Sequence, residues 1–176
     1  EYTPQSYAKE LGLNLDDYVG VTSFTHHPFY KPFALEIQDN WMWEQSYNVP
    51  LDDMIAIIDN SIQNGYSVAW GSDVSEKGFA YKTGVAIVPE KDMSALNNLE
   101  MAKWEKLTQK EKDKELYSFD KPGKEKVITQ EDRQKEFDNY KTTDDHGMQI
   151  TGIAKDQNGN KYYIVKNSWD ESNDYK

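Results

Sequence analysis

The sequence contains no cysteine in its 176 residues. That absence excludes disulfides, thiolate metal sites and a cysteine nucleophile within these residues. Positive charge is scarce: 20 Lys and Arg stand against 31 Asp and Glu, a net charge of -11 at pH 7. A nucleic-acid backbone is bound by clustered cations, so this balance argues against such a partner. Long apolar runs are also missing; none approaches the roughly 18 residues of a membrane span, and no membrane partner is expected. No signal peptide is visible, but the chain begins at Glu1 and not at Met. We therefore expect a start further upstream, which leaves targeting unreadable. Hydrophobic residues make up only 37% of the chain, with a mean hydropathy of -0.91.

What the chain has instead is aromatic residues, at 13%, including five Trp and twelve Tyr. Large rings build a core that an aliphatic count underestimates, which argues against a wholly disordered chain. The length suits one domain or a large piece of one.

Thr3-Pro4 reads as an N-cap followed by Pro at the first helical position, with Tyr7 and Leu11 on one face and Gly12 as the stop. Residues 19–24 are β-branched and aromatic and suggest a strand. Residues 25–32 read as a surface loop. Trp41 and Trp43, two apart, suit an extended segment over residues 35–47. The clearest helix is 50–64, where Leu51, Met54, Ile55, Ile58 and Ile62 recur at three- and four-residue spacing. Strands are expected over 66–74 and 81–88. Residues 90–140 are densely charged and read as a surface excursion with helices near 93–117 and 130–140. Thr129 and Asp132 form a capping signal for the second of these. Strands 148–154 and 161–166 follow, with Asn158-Gly159 as the hairpin turn between them.

Several candidate sites have plainer explanations. His26-His27 would point apart in an extended loop, and no HExxH supports them, so no metal is assigned. Asp156-Gln157-Asn158-Gly159 has its glycine too early for a calcium loop and lacks the distal glutamate. Asp52-Asp53 sit in a helical first turn, where they favour the dipole. Asp144-Asp145 are sequence neighbours, which does not place two carboxyls across a glycosidic bond. Trp41, Trp43 and Trp104 would suit a sugar-binding platform if they met; core or interface rings are the plainer account.

The segment Asp145-His146-Gly147-Met148 opens one strand of the expected hairpin, and Lys166-Asn167-Ser168-Trp169 closes the other. A hairpin brings those two ends together, so His146 and Asn167 can be neighbours. An amide oxygen bonded to one imidazole nitrogen leaves the other free to face a reacting group. A structural His with a bonded Asn would look the same.

These residues resemble the His and Asn segments of papain-like cysteine peptidases, and most closely those of the bleomycin hydrolase and aminopeptidase C branch. Thr3-Pro4 with Tyr7 resembles that branch's helix start. Trp70-Gly71-Ser72-Asp73-Val74 resembles its W-F-G-x-D-V strand, and the charged excursion stands where the branch carries an insert.

The resemblance implies an α+β papain-like fold. Residues 1–176 would form the right-hand, β-barrel-like lobe, with 90–141 a charged helical insert and the N-terminal cysteine-bearing lobe not present. It implies His146 as general base, Asn167 as the group orienting its ring and Trp169 as their shield. Gly147 would lie beside the pocket for the second substrate residue, and Trp70, Gly71 and Asp73 in the strand facing the cleft. Peptide substrates, the cysteine-bearing lobe of the same protein and a homohexameric ring are the implied partners, with no cofactor. The branch is usually cytoplasmic, with exported bacterial forms.

The chain departs from the pattern at Gly147, commonly Ala, at Asp145, often Thr in this branch, and at Asp170, commonly Gly. The branch's cysteine, oxyanion-hole glutamine and C-terminal tail are not in these residues. Three readings follow: part of a cysteine aminopeptidase, a non-catalytic peptidase-like binding or assembly domain, and a glycan-binding domain.

Overall fold

A computed structural model describes residues 1–118 and 121–169. The chain divides into two compact units, Glu1–Met54 and Ile55–Lys176.

In the first unit, α1 (Pro4–Leu11) starts where the sequence places it. Thr3 Oγ1 accepts from Ser6 N, Ser6 Oγ accepts from Thr3 N, and Gly12 closes the helix at φ 64°. Three short strands follow, β1 (Val21–Thr22), β2 (Lys31–Ala34) and β3 (Gln45–Asn48). Their order is β1-β3-β2, with β1 parallel and β2 antiparallel to β3. Phe24, Phe33 and Val49 are its buried hydrophobic residues among those described. Asn48 is fully buried. Its Oδ1 accepts from Phe24 N (2.9 Å), and its Nδ2 donates to the carbonyls of Phe24 (2.9 Å) and His27 (3.0 Å). One side chain thus satisfies the backbone of the loop between β1 and β2.

The expected extended segment over 35–47 is mostly a run of turns, and β3 begins only at Gln45. Asn40 explains the difference. Its Nδ2 donates to the carbonyls of Leu35 (3.0 Å) and Glu44 (2.9 Å), and its Oδ1 accepts from Glu44 N (2.9 Å). These bonds replace those a strand partner would supply. Trp43 lies at φ 58°.

Helix α2 (Leu51–Gln63) runs across the boundary between the units. Its periodic residues Leu51, Met54, Ile55, Ile58 and Ile62 are all half-buried, as an amphipathic stripe requires.

The second unit is built on a sheet of β4 (Val68–Ser72), β7 (His146–Lys155) and β8 (Lys161–Lys166), in the order β4-β7-β8 with both pairings antiparallel. This sheet is open, not a closed barrel. Met148 and Ile150 on β7 are buried. A bulge lies between Ile150 and Gly152. The β7–β8 connection is a five-residue loop, longer than Asn158-Gly159 alone. Asp156 organises it by accepting from Asn158 N and Asn160 N, each at 2.8 Å. On α2, Asp59 accepts from Lys161 Nζ (2.6 Å) and Tyr163 OH (2.6 Å), which ties the helix to β8.

Between β4 and β7 come β5 (Phe79–Ala80), a 3-10 turn at Tyr81–Thr83, and β6 (Val85–Ala86), in place of the single strand expected over 81–88. The charged segment holds α3 (Asn98–Lys106), α4 (Gln109–Leu116) and α5 (Gln130–Asp138). The expected single helix over 93–117 is two, because a second capping box interrupts it. Thr108 Oγ1 caps Glu111 N while the Glu111 carboxylate accepts from Thr108 N. Thr129 and Asp132 cap α5 in the same way. The stem of the segment is closed by Glu90 N to Lys124 O and Lys126 N to Val88 O, both 2.8 Å. Tyr162 on β8 donates to the Glu125 carboxylate, which pushes the phenol up to about 12. Among the described residues, no helix is long and apolar enough to cross a membrane.

Candidate active site

His146 is the first residue of β7, and its register partner on β4 is Ser72. Asn167 follows the last residue of β8. The two meet across the open end of the hairpin, with His146 Nε2 2.7 Å from Asn167 Oδ1. Both residues are half-buried.

A second bond fixes the chemistry of the first. Asn167 Oδ1 also accepts from Ser168 N at 2.7 Å. Turning the amide over would set its NH2 against that backbone donor, so the oxygen must face both groups. His146 Nε2 therefore carries a hydrogen and donates it. In the neutral ring this leaves Nδ1 as the proton-accepting nitrogen. The pair holds an imidazole in one tautomer with its basic nitrogen turned away from Asn167.

Trp169 lies obliquely against His146, its ring centroid 4.8 Å from the imidazole at 38°. Two further rings meet Trp169 edge-on, Tyr81 at 4.9 Å and Phe79 at 5.9 Å. Neither is among the residues the sequence points to. They belong to the 3-10 turn and the short strand before it, and a lone aromatic residue in each carried no periodic signal.

The β4 residues lie directly opposite. Trp70 pairs with Met148 and Gly71 with Gly147. Gly147 has open space where a Cβ would stand. Gly71 does not: a Cβ there would come within 2.6 Å of an Asp144 carboxylate oxygen. Trp70 is 37% exposed.

Asp73 is engaged on both oxygens. Its Oδ1 accepts from Ser75 N (2.8 Å) and Ser75 Oγ (2.6 Å), and its Oδ2 from Thr143 N (2.8 Å) and Thr143 Oγ1 (3.1 Å). Burial acts to raise its pKa, but the bonds from Ser75 and Thr143 outweigh it and hold the carboxyl below its ordinary range. Asp145 Oδ1 accepts from Val74 N at 3.0 Å. Asp170, the departure next to Trp169, lies outside the described residues.

His26 and His27 belong to the first unit and pack on Phe33, His27 stacked at 4.1 Å and His26 edge-on at 5.7 Å. Trp41 and Trp43 are also in the first unit and are 77% and 63% exposed. Trp104 is in the second unit on α3, with Lys91 Nζ over its ring at 4.9 Å. Among the described residues no group of three or more His, Asp or Glu could hold a metal ion.

The fold is α+β, with the His–Asn pair at the open end of a hairpin. The sequence profile of the Peptidase C1-like family matches residues 1–114, and the chain belongs to that family. Among solved structures, the whole chain is similar in fold to part of PepW from Lactobacillus rhamnosis HN001 (DR20), at a TM-score of 0.62 and 21% identity. The chain spans about a third of the length of that protein, 34%. No curated protein matches. The profile match ends before β7, so the His146–Asn167 pair stands on its own geometry.

Proposed function

We propose that this chain is the His- and Asn-bearing part of a cysteine aminopeptidase of the bleomycin hydrolase and aminopeptidase C type. The observation that carries the reading is the 2.7 Å bond from His146 Nε2 to Asn167 Oδ1, with the amide orientation fixed by Ser168 N. This supports the reading in which Nδ1 is the base that faces a thiol. The nucleophilic cysteine comes from residues outside this chain, whose 176 residues contain none.

In the proposed reaction, His146 Nδ1 takes the proton of that thiol and the pair rests as thiolate and imidazolium. The thiolate attacks the substrate carbonyl, and His146 returns the proton to the leaving amine. Water, deprotonated by His146, then hydrolyses the thioester. Asn167 keeps the ring in register throughout; being neutral, it orients the imidazole without adding a charge of its own. Trp169 covers one side of the His146 ring, and Tyr81 and Phe79 brace Trp169 edge-on. Gly147 and Trp70 line the substrate side, and Gly71 beside them leaves room for the Asp144 carboxylate. A hexameric assembly, a cytoplasmic location and the assignment of residues 90–141 as an insert belong to the same proposal and rest on the sequence resemblance.

The test is the longer polypeptide. A thiol alkylator should label one cysteine in it and abolish turnover of aminoacyl substrates. Absence of any alkylatable cysteine in the longer protein would sink the reading. The lack of cysteine here favours one alternative, a peptidase-like domain used for binding or assembly. Ser, Ala or Gly at the nucleophile position, with partner binding retained and no turnover, would decide for it.

A further inference from the structure

We propose that Asp73 is a positioning residue for His146. Its carboxylate clamps the chain that leads into β7, and so sets where the imidazole stands. The inference rests on the reading of His146 as the base. It reassigns Asp73 from the substrate side to the support of that base.

The argument starts from the ladder. Pairing between β7 and β8 begins at Gln149 with Lys166, three residues after His146. Pairing between β7 and β4 continues to His146 itself, opposite Ser72. The backbone of His146 is therefore held by the β4 side of the sheet, at the last rung, where ladders open most easily. The next residue on the β4 side is Asp73.

Asp73 closes this end. Oδ2 takes the amide and hydroxyl of Thr143, three residues before His146, while Oδ1 takes the amide and hydroxyl of Ser75. One carboxylate thus joins the chain leaving β4 to the chain entering β7. Flanking bonds run in the same place: Asp145 N donates to Ser72 O (3.1 Å), and Val74 N donates to Asp145 Oδ1 (3.0 Å). All four groups facing Asp73 are donors. A carboxylate has acceptors enough for all of them, whereas an amide must turn an NH2 toward one pair. With both oxygens occupied from within the chain, Asp73 is poorly suited to contact substrate.

The test uses the His146 imidazole N–H resonance of this chain, which has only three histidines. In the unaltered chain the Nε2–H should be slow to exchange, and Asn167→Ala should abolish that protection. If Asn167→Ala leaves it unchanged, the underlying His–Asn reading fails. Asp73→Asn should also lose the Nε2–H protection, while the β7–β8 amide resonances keep their positions. Retained protection in Asp73→Asn, with Asn167→Ala still effective, overturns the role of Asp73 and leaves the His–Asn reading intact. Should Asp73→Asn fail to fold, Thr143→Val and Ser75→Ala replace it. Thr143→Val should shift the His146 resonance and Ser75→Ala should not. Equal effects from the two, or none from Thr143→Val, overturn the proposal.

Discussion

Asn167 Oδ1 accepts two hydrogen bonds, and the second gives meaning to the first. The Ser168 amide fixes the oxygen, the oxygen fixes the His146 tautomer, and the tautomer leaves Nδ1 as the proton-accepting nitrogen. In a longer protein carrying the cysteine, His146→Ala should lower kcat by about 10²–10⁴, the usual contribution of a positioned base. Steady-state kinetics on an aminoacyl substrate would measure it, and an unchanged kcat would remove His146 from the chemistry. Asp73 makes a prediction about acid. Its folded pKa is depressed, so its contribution to stability is present above the unfolded value, about 3.9. That contribution is lost as pH falls through the lower folded value. Denaturant unfolding of Asp73→Asn should therefore show a shallower acid limb than the unaltered chain. Parallel limbs would mean that Asp73 is not linked to folding.

Strand β8 carries the site at one end and structural ties along its length. Lys161 and Tyr163 bind Asp59 of α2, and Tyr162 binds Glu125 from the stem of the charged segment. Tyr162 has a raised pKa, so the linkage runs opposite to that of Asp73. Its contribution is full below the ordinary tyrosine value, about 10, and is lost as pH rises through about 12. Tyr162→Phe should cost about 1 kcal/mol near neutral pH, the net value of one partly exposed hydrogen bond. It should also flatten the alkaline limb between those two values. Melts at neutral and alkaline pH would show both; an unaltered alkaline slope would separate Tyr162 from the effect. On β7, Ile150 is only 3% exposed. Ile150→Ala should cost about 2–4 kcal/mol through lost burial and a cavity, read as a fall in denaturant midpoint. A loss within ±0.5 kcal/mol, typical of a surface position, would remove Ile150 from the core.

The whole molecule has few buried hydrophobic residues: Phe24, Phe33, Val49, Met148 and Ile150 among those described. Large side chains are left in solvent, among them Trp41 at 77%, Val127 at 83% and Tyr140 at 86%. On the proposed reading the 176 residues lack the thiol, so the purified chain should show no turnover of a fluorogenic aminoacyl substrate. Addition of a thiol-activating reductant should not change that. Turnover abolished by His146→Ala would show that this chain uses a nucleophile other than cysteine.

Local sequence determined most of the elements. Capping residues and 3.6-residue periodicity locate α1, α2 and α5, because those signals act within a few residues of one another. Thr108 and Glu111 carried the same kind of signal for a break between α3 and α4, which the charge density of that stretch obscured. The run over 35–47 was not legible, since Asn40 replaces a strand's bonds through contacts that spacing does not encode. The His146 and Asn167 segments were legible as the two ends of a hairpin, because antiparallel pairing must bring such ends together. Only the tertiary structure decided what surrounds them. Phe79 and Tyr81 reach Trp169 from 90 and 88 residues earlier in the chain, and Asp73 reaches Thr143 across 70. Contacts at such separations depend on how the sheet and its connections close in space, and no periodicity along the chain records that.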